Sequence, residues 1–167
     1  IWLMDGTHAL SVGAAGSFNP GPSWQIKGSG DFNGDGKADI LWQGSDGTPA
    51  IWLMDGTKAI WVGAVGPSNP GANWHVEGTG DFNRDAKADI LWQNADGTHA
   101  IWLMDGTSLI RGSNVGFNPG AAWQIHGSAD FNGDGKADIE WQNTDGTPAV
   151  WLMDGLNVAS GANAGFN

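Results

Sequence analysis

Along this chain, short apolar runs alternate with tight clusters of Gly, Asp, Asn and Pro. Ala50, Ile51, Trp52, Leu53 and Met54 are apolar without interruption, as are Ile40, Leu41 and Trp42, and both runs recur further on. Runs of this length with no polar side predict strands covered on both faces. Where the pattern is clearest it predicts four strands, at Trp24–Gly30, Ala38–Gln43, Pro49–Met54 and Lys58–Gly63. Asp55-Gly56 predicts a two-residue hairpin turn between the third and fourth, because both positions tolerate φ > 0. The pair recurs as Asp5-Gly6, Asp105-Gly106 and Asp154-Gly155, and Ser45-Asp46-Gly47-Thr48 makes a longer turn between the second and third strands. No segment keeps a helical period between its Gly and Pro breakers. The chain reads as all-β.

The whole pattern repeats. Aligned on Trp24, Trp74 and Trp123, three units begin SWQIKGSGDFNGDGKADILWQ, NWHVEGTGDFNRDAKADILWQ and AWQIHGSADFNGDGKADIEWQ, at spacings of 50 and then 49 residues. The missing residue falls between Gly106 and Pro119. Asn19-Pro20-Gly21, Asn69-Pro70-Gly71 and Asn118-Pro119-Gly120 mark the crossings between units. A partial copy, IWLMDGTHALSVGAAG, comes first. In an antiparallel meander, apolar cover on both faces requires each sheet to stack between two like sheets. That predicts a β-propeller of four-stranded antiparallel blades, with a partial blade at 1–22 and full blades at 23–72, 73–121 and 122–167. The fourth strand varies at Ser11, Trp61 and Arg111, as an exposed outer edge does. A β-solenoid is the alternative, but its coils are usually shorter than a four-stranded blade.

Composition changes this picture in two respects. Gly-rich acidic chains are often disordered, but 11 Trp with many Ile and Leu supply the apolar surface that disordered segments lack. Eighteen acids against 7 bases give a net charge of −11, which on charge alone excludes nucleic acid and anionic membrane as partners. No run approaches 18 apolar residues, so no membrane insertion is expected. Without Cys, no disulfide can stabilise the fold. No signal peptide is visible, and an opening in mid-motif at Ile1 points to a natural start further upstream.

The strongest chemical signal lies between the first and second strands. It reads DFNGDGKAD at Asp31–Asp39, DFNRDAKAD at Asp81–Asp89 and DFNGDGKAD at Asp130–Asp138. Oxygen-bearing side chains fall at positions 1, 3, 5 and 9, with Gly at 6 for a sharp turn in two of the three copies. Hard oxygens at alternate positions of a tight loop suit Ca²⁺, about three ions per chain. Lys37, Lys87 and Lys136 at position 7 would offer a backbone carbonyl while the ammonium points away. An EF-hand would need Glu at position 12, where Trp42, Trp92 and Trp141 stand, so the loop is a strand-to-strand variant. Zinc is disfavoured because there is no Cys and the four His are scattered. Nine of the 18 acids lie in these loops, and three calcium ions would bring the formal charge from −11 to −5. The middle loop departs from the pattern, with Arg84 at position 4 and Ala86 at position 6. If position 6 adopts φ > 0, Ala costs on the order of 1 kcal/mol there, and the middle site should be the weakest.

DFNGDGKADI followed by LWQ, DGT and AIWLMDG resembles the FG-GAP/VCBS repeats of bacterial surface proteins. Those repeats are similar to the calcium-loop blades of integrin α-subunit propellers and to a seven-bladed fungal lectin of the Psathyrella velutina type. The resemblance covers essentially the whole chain. It implies calcium ligation by Asp31, Asn33, Asp35, the Lys37 carbonyl and Asp39; by Asp81, Asn83, Asp85, Lys87 and Asp89; and by Asp130, Asn132, Asp134, Lys136 and Asp138. Integrin loops often carry Asp at position 3, so Asn33, Asn83 and Asn132 lower the charge. Members of the family are typically secreted or displayed on the cell surface.

The lectin resemblance implies sugar sites in pockets between blades. Trp24, Trp74 and Trp123 are the candidate stacking faces, with Gln43, Gln93, Asn94, Gln142 and Asn143 as hydrogen-bonding edges. The integrin resemblance implies instead a surface-protein partner, and near-identical units also suit an idealised structural propeller with no ligand. Catalysis is not expected, because no nucleophile–base constellation is present. His8, His75, His99 and His126 occupy non-equivalent positions expected to face solvent, and Trp61 is the Trp expected to be exposed. Propellers close with four to eight blades, so three and a part imply either a piece of a longer propeller or a homo-oligomer, a dimer in the simplest case.

Overall fold

The computed structural model describes residues 1–15, 19–66 and 68–164. Parts of two linkers (16–18 and 67) and the end of the last unit (165–167) lie outside the described residues. Among those described there are fourteen strands and no helix. A two-stranded sheet pairs β1 (Trp2–Asp5) with β2 (His8–Val12). The first full blade comprises β3 (Trp24–Gly30), β4 (Asp39–Gly44), β5 (Pro49–Asp55) and β6 (Lys58–Ala64). The middle blade comprises β7 (Trp74–Gly80), β8 (Asp89–Asn94), β9 (His99–Asp105) and β10 (Ser108–Asn114). The last comprises β11 (Trp123–Ala129), β12 (Asp138–Asn143), β13 (Pro148–Asp154) and β14 (Asn157–Asn163). Each is an antiparallel meander in chain order. The predicted strands of the first blade agree to within a residue at each end.

Register explains the recurring glycines. Each inner strand bulges at one point before Gly28, Gly78 or Gly127 as it pairs with its neighbour, a kink of the kind that raises local twist. The outer hairpins differ from expectation. β5 ends at Asp55 and β6 starts at Lys58, with those two residues paired, so the turn is Gly56-Thr57 rather than Asp55-Gly56. Only Gly56, at φ 61°, is left-handed there, which is what a turn with Gly in its first central position needs.

The blades stack in series through apolar faces, with inner strands β3, β7 and β11 side by side in that order. Phe32, Leu41, Ile51 and Val65 of the first blade form one core with Val76, Ile90, Trp92 and Met104 of the middle blade. Phe82, Leu91, Ile101 and Val115 do the same with Ile139, Trp141, Trp151 and Met153 of the last. Outer strands β6, β10 and β14 are largely exposed, as their sequence variation implied. Two exposure expectations are corrected. His99 is fully buried, edge-on to Trp141 and Trp151 of the next blade at 4.8 and 4.9 Å, and neither ring nitrogen has a hydrogen-bond partner. Trp2, at 67%, is more exposed than Trp61 at 41%, because β1–β2 has no inner strands beside it.

Candidate metal loops and tryptophan clefts

Each Asp-rich loop is curled by its own side chains. Asp31 accepts the Gly34 and Asp35 N–H groups on Oδ1 (2.7 and 3.1 Å) and that of Gly36 on Oδ2 (2.6 Å). Asn33 Oδ1 accepts the Asp35 N–H, and Asp35 Oδ1 accepts that of Lys37. The last loop repeats the set around Asp130, Asn132 and Asp134. These backbone donors, that of Gly135 foremost, hold the Asp130 carboxyl below its ordinary range. In the middle loop Asp81 accepts from Asp85 and Ala86, while the bond made by Gly34 and Gly133 has no counterpart at Arg84. Arg84 and Ala86 both sit at φ 64°, where the other loops have Gly34, Gly36, Gly133 and Gly135. The strain expected at position 6 is therefore present, and at position 4 as well.

Position 9 behaves differently. Asp39 is fully buried; its Oδ2 accepts the Phe32 N–H at 2.9 Å and its Oδ1 the Met54 N–H at 2.8 Å. Asp89 and Asp138 make the same pair of bonds, with Phe82 and Met104 and with Phe131 and Met153. Each thus ties its loop to the third strand of its own blade. Burial pushes Asp39 up, against the two backbone donors, and the charges of Asp31 and Asp35 push the same way. Burial likewise raises Asp89 to about 7.

Among the described residues, no three acidic or histidine side chains already converge as a cage. The chemistry of the donor set nonetheless fits a hard divalent cation. Its carboxylates feel one another's charge, and each oxygen that accepts one N–H bond keeps a second lone pair. The position-7 ammonium does not point simply outward: Lys37, Lys87 and Lys136 reach Asp55, Asp105 and Asp154 at 3.1, 2.6 and 2.8 Å.

The predicted ligand residues divide into two sets. Gln43 is buried and spans the joint to the next blade, donating to the Trp74 carbonyl (2.7 Å) and accepting the Val76 N–H (3.1 Å). Gln93 does the same to Trp123 and Ile125. Both amides are engaged as locks between blades. Gln142, at the same place in the last blade, is exposed, and its amide reaches only the Gly146 carbonyl at 3.5 Å. Asn143 accepts the Asp145 N–H in its own turn, and Asn94 lines a polar groove with Gln93 and Trp123.

Trp74 and Trp123 do line clefts, but each cleft is lined by a single blade and the linker before it, not by two adjacent blades as the lectin resemblance implied. A cleft of about 410 Å³ is walled by Pro70, Trp74, Trp92, Trp102, Gly112 and Asn114. A second, of about 280 Å³, has Pro119, Trp123, Trp141, Trp151, Gly161 and Asn163 in the same places. Gly112 and Gly161 leave room for the indoles of Trp102 and Trp151, which a Cβ would meet at 2.8 and 2.7 Å. Val62 and Ala64 stand in the first blade where the other two have a glycine and an asparagine, so the same set of lining residues is not repeated beside Trp24.

A family profile of FG-GAP-like repeats matches twice, over residues 31–92 and 81–141. The chain is a member of the FG-GAP-like repeat family. Each match opens on the first Asp of a loop and closes on the second-strand Trp of the next blade, Trp92 or Trp141. Each matched segment therefore spans a joint between two blades. A search of curated proteins gives no match. FG-GAP repeats form β-propeller-type binding modules, generally without catalytic activity, and are typical of extracellular or cell-surface proteins. Among the described residues no helix is long and apolar enough to cross a membrane.

Proposed function

We propose that the chain is a calcium-stabilised carbohydrate-binding module of secreted or surface-displayed type, holding sugar rings in the clefts of its middle and last blades. The observation that carries this reading is the recurrence, in two successive blades, of one cleft in which a part-exposed indole, Trp74 or Trp123, stands beside the buried Trp92 or Trp141, with Asn114 or Asn163 in the lining. Indole faces stack on the C–H faces of pyranose rings, and a rim amide fixes orientation by hydrogen bonding. Two like sites in one chain would add avidity toward repeated glycans. Calcium would be held by Asp31, Asn33, Asp35, the Lys37 carbonyl and Asp39, with the corresponding groups in the other loops. When bound it supplies neutralising charge and joins the two inner strands of a blade.

A glycan array probed in calcium and in chelator tests the proposal, with Gly112→Val/Gly161→Val as the cleft-filled control. Valine at Gly112's place is already accommodated in the first blade as Val62. Calcium-dependent binding lost in the double variant is the expected result. Absence of binding to any glycan in calcium, with the protein folded, would overturn it.

A further inference from the structure

The inner strands carry a row of charged and titratable side chains that the fold leaves unpaired. In each strand the residue before the bulge glycine is the extra one, with no partner on the neighbouring strand: Lys27 in β3, Glu77 in β7 and His126 in β11. Bulges of this kind re-aim a side chain. Because β3, β7 and β11 run side by side, these residues succeed one another across the two joints inside the chain. Lys27 and Glu77 are half-buried, and among the described residues neither side chain makes an ion pair or a hydrogen bond. Lys37, Lys87 and Lys136, by contrast, are each paired with an Asp. Burial pushes the Glu77 carboxyl above its ordinary range, while Lys27, His75 and His126 pull it back, so all three lie near enough for their charge to be felt.

Each of the two charges lines a polar groove at a joint. At the first joint a groove of about 200 Å³ has Gln25, Lys27 and Ser45 on one side and His75 on the other. At the second, a groove of about 270 Å³ has His75, Glu77 and Asn94 on one side and Gln124 on the other. His75 borders both grooves. Gln25 and Gln124, its counterparts in the flanking strands, are exposed, and among the described residues their amides have no hydrogen-bond partner. Volumes of this size suit a ligand smaller than the drug-sized molecules that fill pockets of about 300–1,000 Å³.

We infer that the two grooves together form a receptor for a small zwitterion of the amino-acid or dipeptide class, its carboxylate held by Lys27 and its ammonium by Glu77. The argument is charge complementarity. A simple cation is drawn to Glu77 but repelled by Lys27, and a simple anion meets the reverse. A molecule carrying both charges a few bonds apart satisfies each side chain and adds no net charge. The His75 ring stands between the two, and the Gln25 and Gln124 amides supply hydrogen bonds to the neutral part of the ligand. This site goes beyond the glycan reading. Trp123 borders both the second groove and the last-blade cleft, but neither Lys27 nor Glu77 lines a tryptophan cleft.

Titration of the full chain with alanyl-alanine and with alanine, followed by ligand-observed NMR, tests this. Saturable binding in roughly the millimolar range is expected, and it should vanish when the ammonium is acetylated or the carboxylate amidated. Lys27→Met and Glu77→Gln, each checked for an unchanged melting curve, should each weaken binding at least about tenfold, because each removes one charge-assisted bond. The capped ligands keep the test independent of how well the variants fold. Binding of the dipeptide, the amino acid or both supports the inference, and the tighter of the two sets the spacing between the charges. No saturable binding by the parent chain, equal binding of the capped ligands, or binding unchanged in both variants would overturn it. No arm reads glycan binding, so failure here leaves the proposed function to its own test.

Discussion

Ala86→Gly should stabilise the protein, contrary to the usual direction for such a change. Ala86 is held at φ 64° by the bond its N–H gives to Asp81 Oδ2 at 2.7 Å, just as Gly36 is held at φ 81° by Asp31. A left-handed Cβ costs roughly 1–2 kcal/mol. Glycine's greater freedom in the unfolded chain takes back about 0.4–1 kcal/mol. The expected net gain is about 1 kcal/mol, or a rise of about 2–4 °C in Tm for a domain of this size. Thermal melts followed by circular dichroism in excess calcium measure it, with Gly36→Ala as the mirror control expected to lose a similar amount. If Ala86→Gly melts at or below the parent temperature while Gly36→Ala is harmless, the positive-φ strain assigned to these loops is wrong. Arg84 is less clean, because its side chain lies against Gly135 of the last loop.

Other outcomes follow from the same geometry. Chelator should lower Tm, because ions that bind only the folded loops stabilise it; an unmoved transition at low salt would refute calcium binding. Calcium titration should show the middle loop as the weakest of three sites, by up to roughly tenfold, and three equivalent sites would contradict the strain argument. Gln93→Leu leaves the Trp123 carbonyl and Ile125 N–H unpaired at a buried joint and should cost about 2 kcal/mol or more in denaturant unfolding, whereas Gln142→Leu should cost almost nothing. Burial holds the His99 imidazole below its ordinary pKa. The unfolded chain therefore takes up a proton near pH 6.5 that the folded one refuses, so this stabilisation is present above that pH and is lost as pH falls. His99→Pro, the residue found at 49 and 148, should flatten the fall in Tm between pH 7.5 and 5.5 relative to the parent.

Strands were legible because near-identical units left little choice of pattern: uninterrupted PAIWLM and DILWQ runs bracketed by Gly, Asn and Pro place β4 and β5 almost to the residue. The positive φ at Ala86 was legible because two sister loops carry Gly there. What stayed hidden depended on partners outside a single unit. Gln43 reads as a surface amide until its bonds to Trp74 and Val76, some thirty residues on, are seen. His99 replaces a proline and so resembles a variable surface position, yet it lies in a joint made by the next blade. The clearest signal passed over was Phe at position 2, constant in three otherwise polar loops.

Every joint in the molecule has the same polarity. An earlier blade offers loop carbonyls and a glutamine; a later blade answers the carbonyls with backbone N–H groups and the glutamine with one carbonyl and one N–H. During synthesis the earlier blade leaves the ribosome first, so a finished surface is already waiting when its successor emerges. Folding can then proceed one unit at a time in the direction of translation, and a defect in an early blade should be inherited downstream more than the reverse.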